Sequence, residues 1–224
     1  AFRKLASCFD NIFIPDDLVE VSWGHISMVD AQLKCLRYLT YNYQGVQWKY
    51  ASFLCGKELP FNSNRVMVDT LIKLNGDSVL NAHRLTDMKF LLRFGLHFIS
   101  WNGALYQVAP RWRRVPFGLK LYKSINYISA SRRFVKFLLT SPRVRALHRY
   151  MSTALMPDEE FFATAYMLPE APQTHLPSNE VQYAKTFFTP EFPLNLKCSG
   201  KVVHHICILN IRDLPLLHEY KRGK

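Results

Sequence analysis

The chain has 224 residues, 49% of them apolar, and its 29 Lys and Arg against 17 Asp and Glu give a formal net charge of +12. That length and apolar content are enough for a sizeable core, most simply that of one globular domain over residues 1–224. No apolar run is long enough to cross a bilayer, and Ala1 opens into a charged segment rather than a signal sequence.

The basic balance favours anionic partners, and a nucleic acid, an anionic membrane surface or the pyrophosphate of a sugar nucleotide would each satisfy it. A nucleic-acid binder is disfavoured because no helix-turn-helix, RNP or zinc-ligand spacing occurs.

In chain order, Asn11 to Ile14 and Val19 to Ser22 read as short strands. Ser27 with Asp30 three residues on is a capping-box signature, and Val29, Leu33 and Leu36 give the stripe of the helix behind it. Tyr50 to Cys55 reads as a buried strand, with Gly56 to Pro60 as the loop leaving it. Ser63 or Asn64 caps a second helix carrying Met67, Leu71 and Leu74, which Gly76 ends. This β, α, β, α order predicts an α/β layer architecture.

Between residues 77 and 123 periodicity weakens, and Gly95, Gly103, Pro110, Pro116 and Gly118 predict a less regular region. Arg111, Arg113 and Arg114 surround Trp112 as the densest basic cluster, able to stack on bases or sugars, in a loop bracketed by prolines. Ser141 with Pro142 opens a further helix.

That helix leads to Met156–Thr164, MPDEEFFAT. Pro157 suits a first helical position, and Asp158, Glu159 and Glu160 follow it in the first turn. The acids complement a helix dipole, or one of them is a general base whose pKa is lifted by the apolar wall of Phe161 and Phe162; spacing leaves both open.

Four blocks carry a resemblance. MPDEEFFATAYMLPEAP (156–172) is similar to the "SPDE, aromatic pair, AT, PE-P" segment of the core-2/I-branching β-1,6-N-acetylglucosaminyltransferases, glycosyltransferase family 14, which includes the protein xylosyltransferases. CFDNIFI (8–14) with WGHISMVDAQLKCL (23–36) resembles that family's entry block. WKYASFLCGKELP (48–60) with Asn64 resembles its "WKY, LCG, P, N" block, and CSGKVVHHICILNIRDL (198–214) resembles its "C-x-G, VR, C, DL" ending. Tyr122 to Ala130 resembles its "GS-x-Y" strand, with Ser124 in the glycine's place, and Ser131 and Arg132 match its next helix start.

The resemblance implies a GT-A-type α/β domain related to the nucleotide-binding open sheet. It implies an inverting enzyme that moves GlcNAc from UDP-GlcNAc to a hydroxyl of an O-glycan or related acceptor, with xylosyl transfer as a variant. The partners are then a sugar nucleotide and a glycan, with no nucleic acid. The location is the lumenal side of the Golgi membrane, reached through a type II anchor upstream of Ala1. Glu159 is the implied general base, with Asp158 as a supporting carboxylate. The family is metal-independent, no D-x-D occurs in this chain, and no cofactor is expected.

In the family an Arg and a Lys near the C-terminus hold the diphosphate; His204 stands at the Arg position, and the Lys falls beyond Lys224. On the acceptor side, Asn81 stands where core-2 members carry a Glu, and Phe187 and Phe188 near Lys185 match an aromatic patch. A disulfide is implied between Cys198 and Cys207. Cys8 and Cys35 match cysteines whose partners lie upstream, and Cys55 matches one that is usually free. The chain is therefore expected to begin inside a domain and to be truncated at both ends. Loss of one charge preorganised at a leaving group costs about 3 kcal/mol, so weak or no turnover is expected of these residues alone. The alternative within the family is a glycan-binding pseudoenzyme.

Overall fold

The computed structural model of the chain describes residues 2–43, 47–54, 62–80, 82–110, 114–124, 128–172, 201–203, 206–208, 210–213 and 215. The chain divides into two compact units, Ala1–Phe53 with Leu74–Val181, and Leu54–Lys73 with Gln182–Lys224.

The first unit opens with a single turn of helix, α1 (Phe2–Ala6). The strands predicted over Asn11–Ile14 and Val19–Ser22 do not form. A strand exists only as part of a ladder, and neither segment pairs with another among the described residues. Ser22 N–H instead donates to Ser27 Oγ at 3.0 Å, and Phe13 stacks on Tyr38 and Tyr43.

Helix α2 (Ser27–Tyr41) buries Val29 and Leu36 and packs Leu33 against the core, as its periodicity predicts. Its predicted capping box is absent, because both side chains are engaged elsewhere. Ser27 Oγ accepts from Ser22, and the Asp30 carboxylate meets His148 Nε2 at 2.6 Å. The predicted buried strand Tyr50–Cys55 shrinks to β1 (Tyr50–Ser52), which is half-buried to exposed, and Cys55 lies outside the described residues. Its antiparallel partner, β6 (Ser129–Ser131), is itself only three residues long, which limits the ladder.

Residues 77–123 are more regular than expected. They hold β2 (His83–Arg84), α4 (Asp87–Phe94), the hairpin of β3 (Leu96–Trp101) and β4 (Ala104–Pro110), and β5 (Tyr122–Lys123), which pairs with β2. Asn102 and Gly103 turn the hairpin with φ of 48° and 76°, the two positive values that a two-residue type I′ turn demands. Phe98 is buried on one face of the hairpin, while Ile99, Trp101 and Tyr106 are exposed on the other. The single strand expected over Tyr122–Ala130 is two strands, since β5 pairs with β2 and β6 pairs with β1. Of the Trp112 cluster, residues 111–113 lie outside the described residues.

Ser131 caps α5 (Arg132–Thr140), its side chain accepting from Phe134 N–H; Ser141 caps α6 (Pro142–Met151) through Val144 N–H, with Pro142 at the first position. Both caps agree with the sequence. The short helix α7 (Phe161–Tyr166) is buried along its whole length, and Phe134, Leu147, Met151 and Phe161 fill the core about it. All-round apolarity suits a helix enclosed on every side.

In the second unit, α3 (Asn64–Lys73) follows Ser63, whose Oγ accepts from Val66 N–H at 3.5 Å; Met67 and Leu71 are half-buried. Asn75 and Gly76, which follow it in sequence and belong to the first unit, take left-handed φ of 47° and 90°, a conformation that ends a helix. An antiparallel pair, β7 (Lys201–Val203) with β8 (Ile206–Ile208), sets Val202 opposite Cys207. The whole is a mixture of helix and sheet in which every strand pair among the described residues is antiparallel.

Candidate active site

The acid-rich turn is fastened by backbone hydrogen bonds to four distant segments. Phe98 N–H donates to Thr153 O at 2.9 Å, Leu155 N–H to Arg93 O at 2.9 Å, Met156 N–H to Gly24 O at 2.8 Å, and Ser124 N–H to Glu159 O at 2.7 Å. Met156 takes a left-handed φ of 52°, which reverses the chain so that Pro157 can start a 3₁₀ turn, Pro157–Glu159. Helix α7 begins only at Phe161, so the three acids precede it rather than occupying its first turn.

The turn sorts its acids by burial. Asp158 is 5% exposed and Glu160 is fully enclosed, whereas the Glu159 side chain keeps 26% of its surface. Two cations converge on Glu159 Oε2, Arg93 Nη2 at 2.6 Å and Lys123 Nζ at 2.7 Å. That oxygen is shut off from solvent, so the 26% that stays exposed belongs to the rest of the side chain. Burial raises the Glu159 carboxyl, but its hydrogen bonds to Lys123 and Arg93 and their charges outweigh this, and its pKa lies below the ordinary carboxylate value.

The apolar wall foreseen behind the acids therefore acts on a different residue. Glu160 packs into the interior, and burial lifts its carboxyl to about 8 against the pull of Arg93. Its Oε1 pairs with Arg93 Nη1, so one guanidinium grips both neighbouring carboxyls. Arg93 was not foreseen in the sequence, although a lone arginine in the apolar run FLLRF of α4 signals a buried partner. Lys123, beside Ser124 in the block that resembles the family's "GS-x-Y" strand, carries no such signal in the sequence.

Asp158 and Glu159 are thus brought together at the turn. Asn81, Phe187, Phe188, Cys198 and His204 lie outside the described residues. Cys207 lies in β8, and its pairing with Cys198 cannot be placed among the described residues. Cys8 and Cys35 carry free, exposed thiols.

A separate concavity of about 750 Å³ between α2 and α5–α6 is lined by Lys34, Arg37, Arg145 and His148 over an apolar floor that includes Phe161. Glu159 and Arg93 take no part in it. Two of its lining side chains are already engaged, Lys34 with Asp17 and His148 with Asp30. Among the described residues no group of three or more His, Cys, Asp or Glu could hold a metal ion, and no helix is long and apolar enough to cross a membrane.

Relatives of known activity place this chain in a class. Over 98% of its length it is 28% identical to a zebrafish (Danio rerio) β-1,3-galactosyl-O-glycosyl-glycoprotein β-1,6-N-acetylglucosaminyltransferase 4, and over 97% it is 30% identical to the protein of that name in Mus musculus. It is also 28% identical, over 97% of its length, to the mouse N-acetyllactosaminide β-1,6-N-acetylglucosaminyl-transferase. The class is that of N-acetylglucosaminyltransferase-like glycosyltransferases. Within it, the family model for the Core-2/I-branching enzymes matches residues 1–215, and the chain belongs to that family. It spans 54%, 50% and 55% of the lengths of these three relatives, about half of each.

Proposed function

We propose that this chain is part of an inverting, GT-A-type glycosyltransferase that moves GlcNAc from UDP-GlcNAc to a hydroxyl of an O-glycan or related acceptor, with Glu159 as the general base. The observation that carries this reading is the position of Glu159, whose side chain keeps 26% of its surface while one carboxylate oxygen is held by Arg93 and Lys123. With Oε2 immobilised, Oε1 is the proton acceptor for an incoming alcohol, and the two cations fix the carboxylate's aim before the acceptor arrives. Inversion needs one such base, because the alcohol attacks as the nucleotide departs from the opposite face. Asp158, buried in the same turn, supports it. Donor binding rests on family likeness alone, as does a metal-independent reaction, and so does a place at the lumenal face of the Golgi membrane.

A second reading is a glycan-binding member without turnover. The two cations on Glu159 favour it, since they lower the basicity of the proton acceptor. Two measurements separate the readings. Isothermal titration with UDP-GlcNAc gives micromolar binding for a transferase and none for the lectin-like form. In a transfer assay, Glu159→Gln lowers turnover by about a hundredfold or more if Glu159 is the base. An unchanged rate rejects that role.

A further inference from the structure

The reading of Glu159 as the base leaves the neighbouring carboxyl unexplained. Glu160 is fully enclosed, and its Oε2 is buried with no hydrogen-bond partner among the described residues. A carboxyl placed this way is costly unless the position does something for the chain. Its other oxygen, Oε1, binds Arg93 Nη1, and the opposite arm of that guanidinium, Nη2, binds Glu159 Oε2 at 2.6 Å.

We infer that Glu160 is a positioning residue for Glu159, acting through Arg93. The planar guanidinium has a fixed fork of donors, so holding one arm fixes where the other arm points. Glu160 is the more confined end of this chain, because its side chain is fully enclosed while that of Glu159 keeps 26% of its surface. Arg93 is anchored at its backbone as well, its carbonyl accepting from Leu155 N–H. Lys123, the second cation on Glu159, has 31% of its side chain exposed against 13% for Arg93, and a single flexible ammonium sets distance but not direction. The fork is therefore what orients the Glu159 carboxylate, and Glu160 is what orients the fork. The charged groups facing Glu160 are Arg93 from α4, Lys123 from β5 and Glu159 from its own turn. Burial raises the Glu160 carboxyl to about 8 against the pull of Arg93, which favours its neutral form as the acceptor for that guanidinium.

The test compares Glu160→Leu, which removes the acceptor for Arg93 at similar volume, with Glu160→Gln, which keeps a neutral one. Transfer rates are followed against pH, and the Glu159 carboxyl is followed by ¹³C NMR titration in glutamate-labelled protein, assigned with Glu159→Gln. In Glu160→Leu, the freed Arg93 lets the Glu159 titration and the acid limb of kcat move together to higher pH, and kcat falls by about tenfold while KM changes little. Glu160→Gln keeps most of both. If Glu160→Leu fails to fold, Glu160→Ala and Arg93→Ala form a double-mutant cycle, in which the Glu160→Ala shift of the Glu159 titration vanishes once Arg93 is gone. A Glu159 titration that is the same in every Glu160 variant, or a Glu160 effect that persists without Arg93, overturns the inference. Full turnover in Glu159→Gln instead overturns the general-base reading and leaves the NMR result for Glu160 standing by itself.

Discussion

At the scale of single residues, adjacent glutamates of the same chemistry are driven apart by their surroundings, Glu159 down by two cations and Glu160 up by burial. Lys123→Met removes one of the cations and leaves the burial, so the Glu159 pKa rises. The acid limb of any transfer activity then moves to higher pH, which a pH–rate profile reads directly. The stability consequences have opposite signs. Glu159, depressed in the folded state, stabilises the chain above its unfolded pKa and loses that contribution as pH falls through the folded value. Glu160, raised from 4.5 to about 8, contributes stability that is full below 4.5 and is lost as pH rises toward 8. The melting temperature of Glu160→Gln is accordingly less sensitive to pH between these two values than that of the wild type, as thermal unfolding at a series of pH values will register.

At the scale of elements, turns and caps decide whether the acid turn stays where it is. Ser141 closes α5 with its backbone N–H and opens α6 with its side chain, so Ser141→Ala costs about 1 kcal/mol in urea unfolding, the usual worth of a cap. Gly76 has φ of +90°, and an added Cβ would meet Arg133 Nη2 at 2.8 Å. Gly76→Ala is therefore destabilising by about 1 kcal/mol or more through backbone strain, measurable in the same experiment. The cap at Ser141 is legible in the sequence because a cap is a local interaction among neighbouring residues, and the helix start at Ser131 is legible through its likeness to the family's motif. The Asn102–Gly103 turn is equally local, but the glycines and prolines around it also fit an irregular region, and the sequence pattern alone does not separate the two. The strands expected over Asn11–Ile14 and Val19–Ser22 failed for a different reason. Whether an apolar stretch becomes a strand depends on a partner that its own residues do not encode.

At the largest scale, the core of the first unit is assembled around α7, whose six residues are all buried. Phe161 touches three of the features described above. It edges His148, stacks T-shaped on Phe162, and lies on the floor of the basic concavity. Phe161→Ala costs about 3–5 kcal/mol by opening a cavity in that core, and chemical denaturation will show it as a lower midpoint with an unchanged slope. The sequence by itself determined the family, the caps, the helical stripe of α2 and the acid turn with Glu159 in it, since these depend on residues close together in the chain or on blocks that match those of relatives. Only the tertiary structure decided which acid is open, which is enclosed, and that Arg93 and Lys123 meet Glu159. Those contacts join residues 30 or more positions apart, and burial and Coulomb attraction act on distance in space, which no local pattern records.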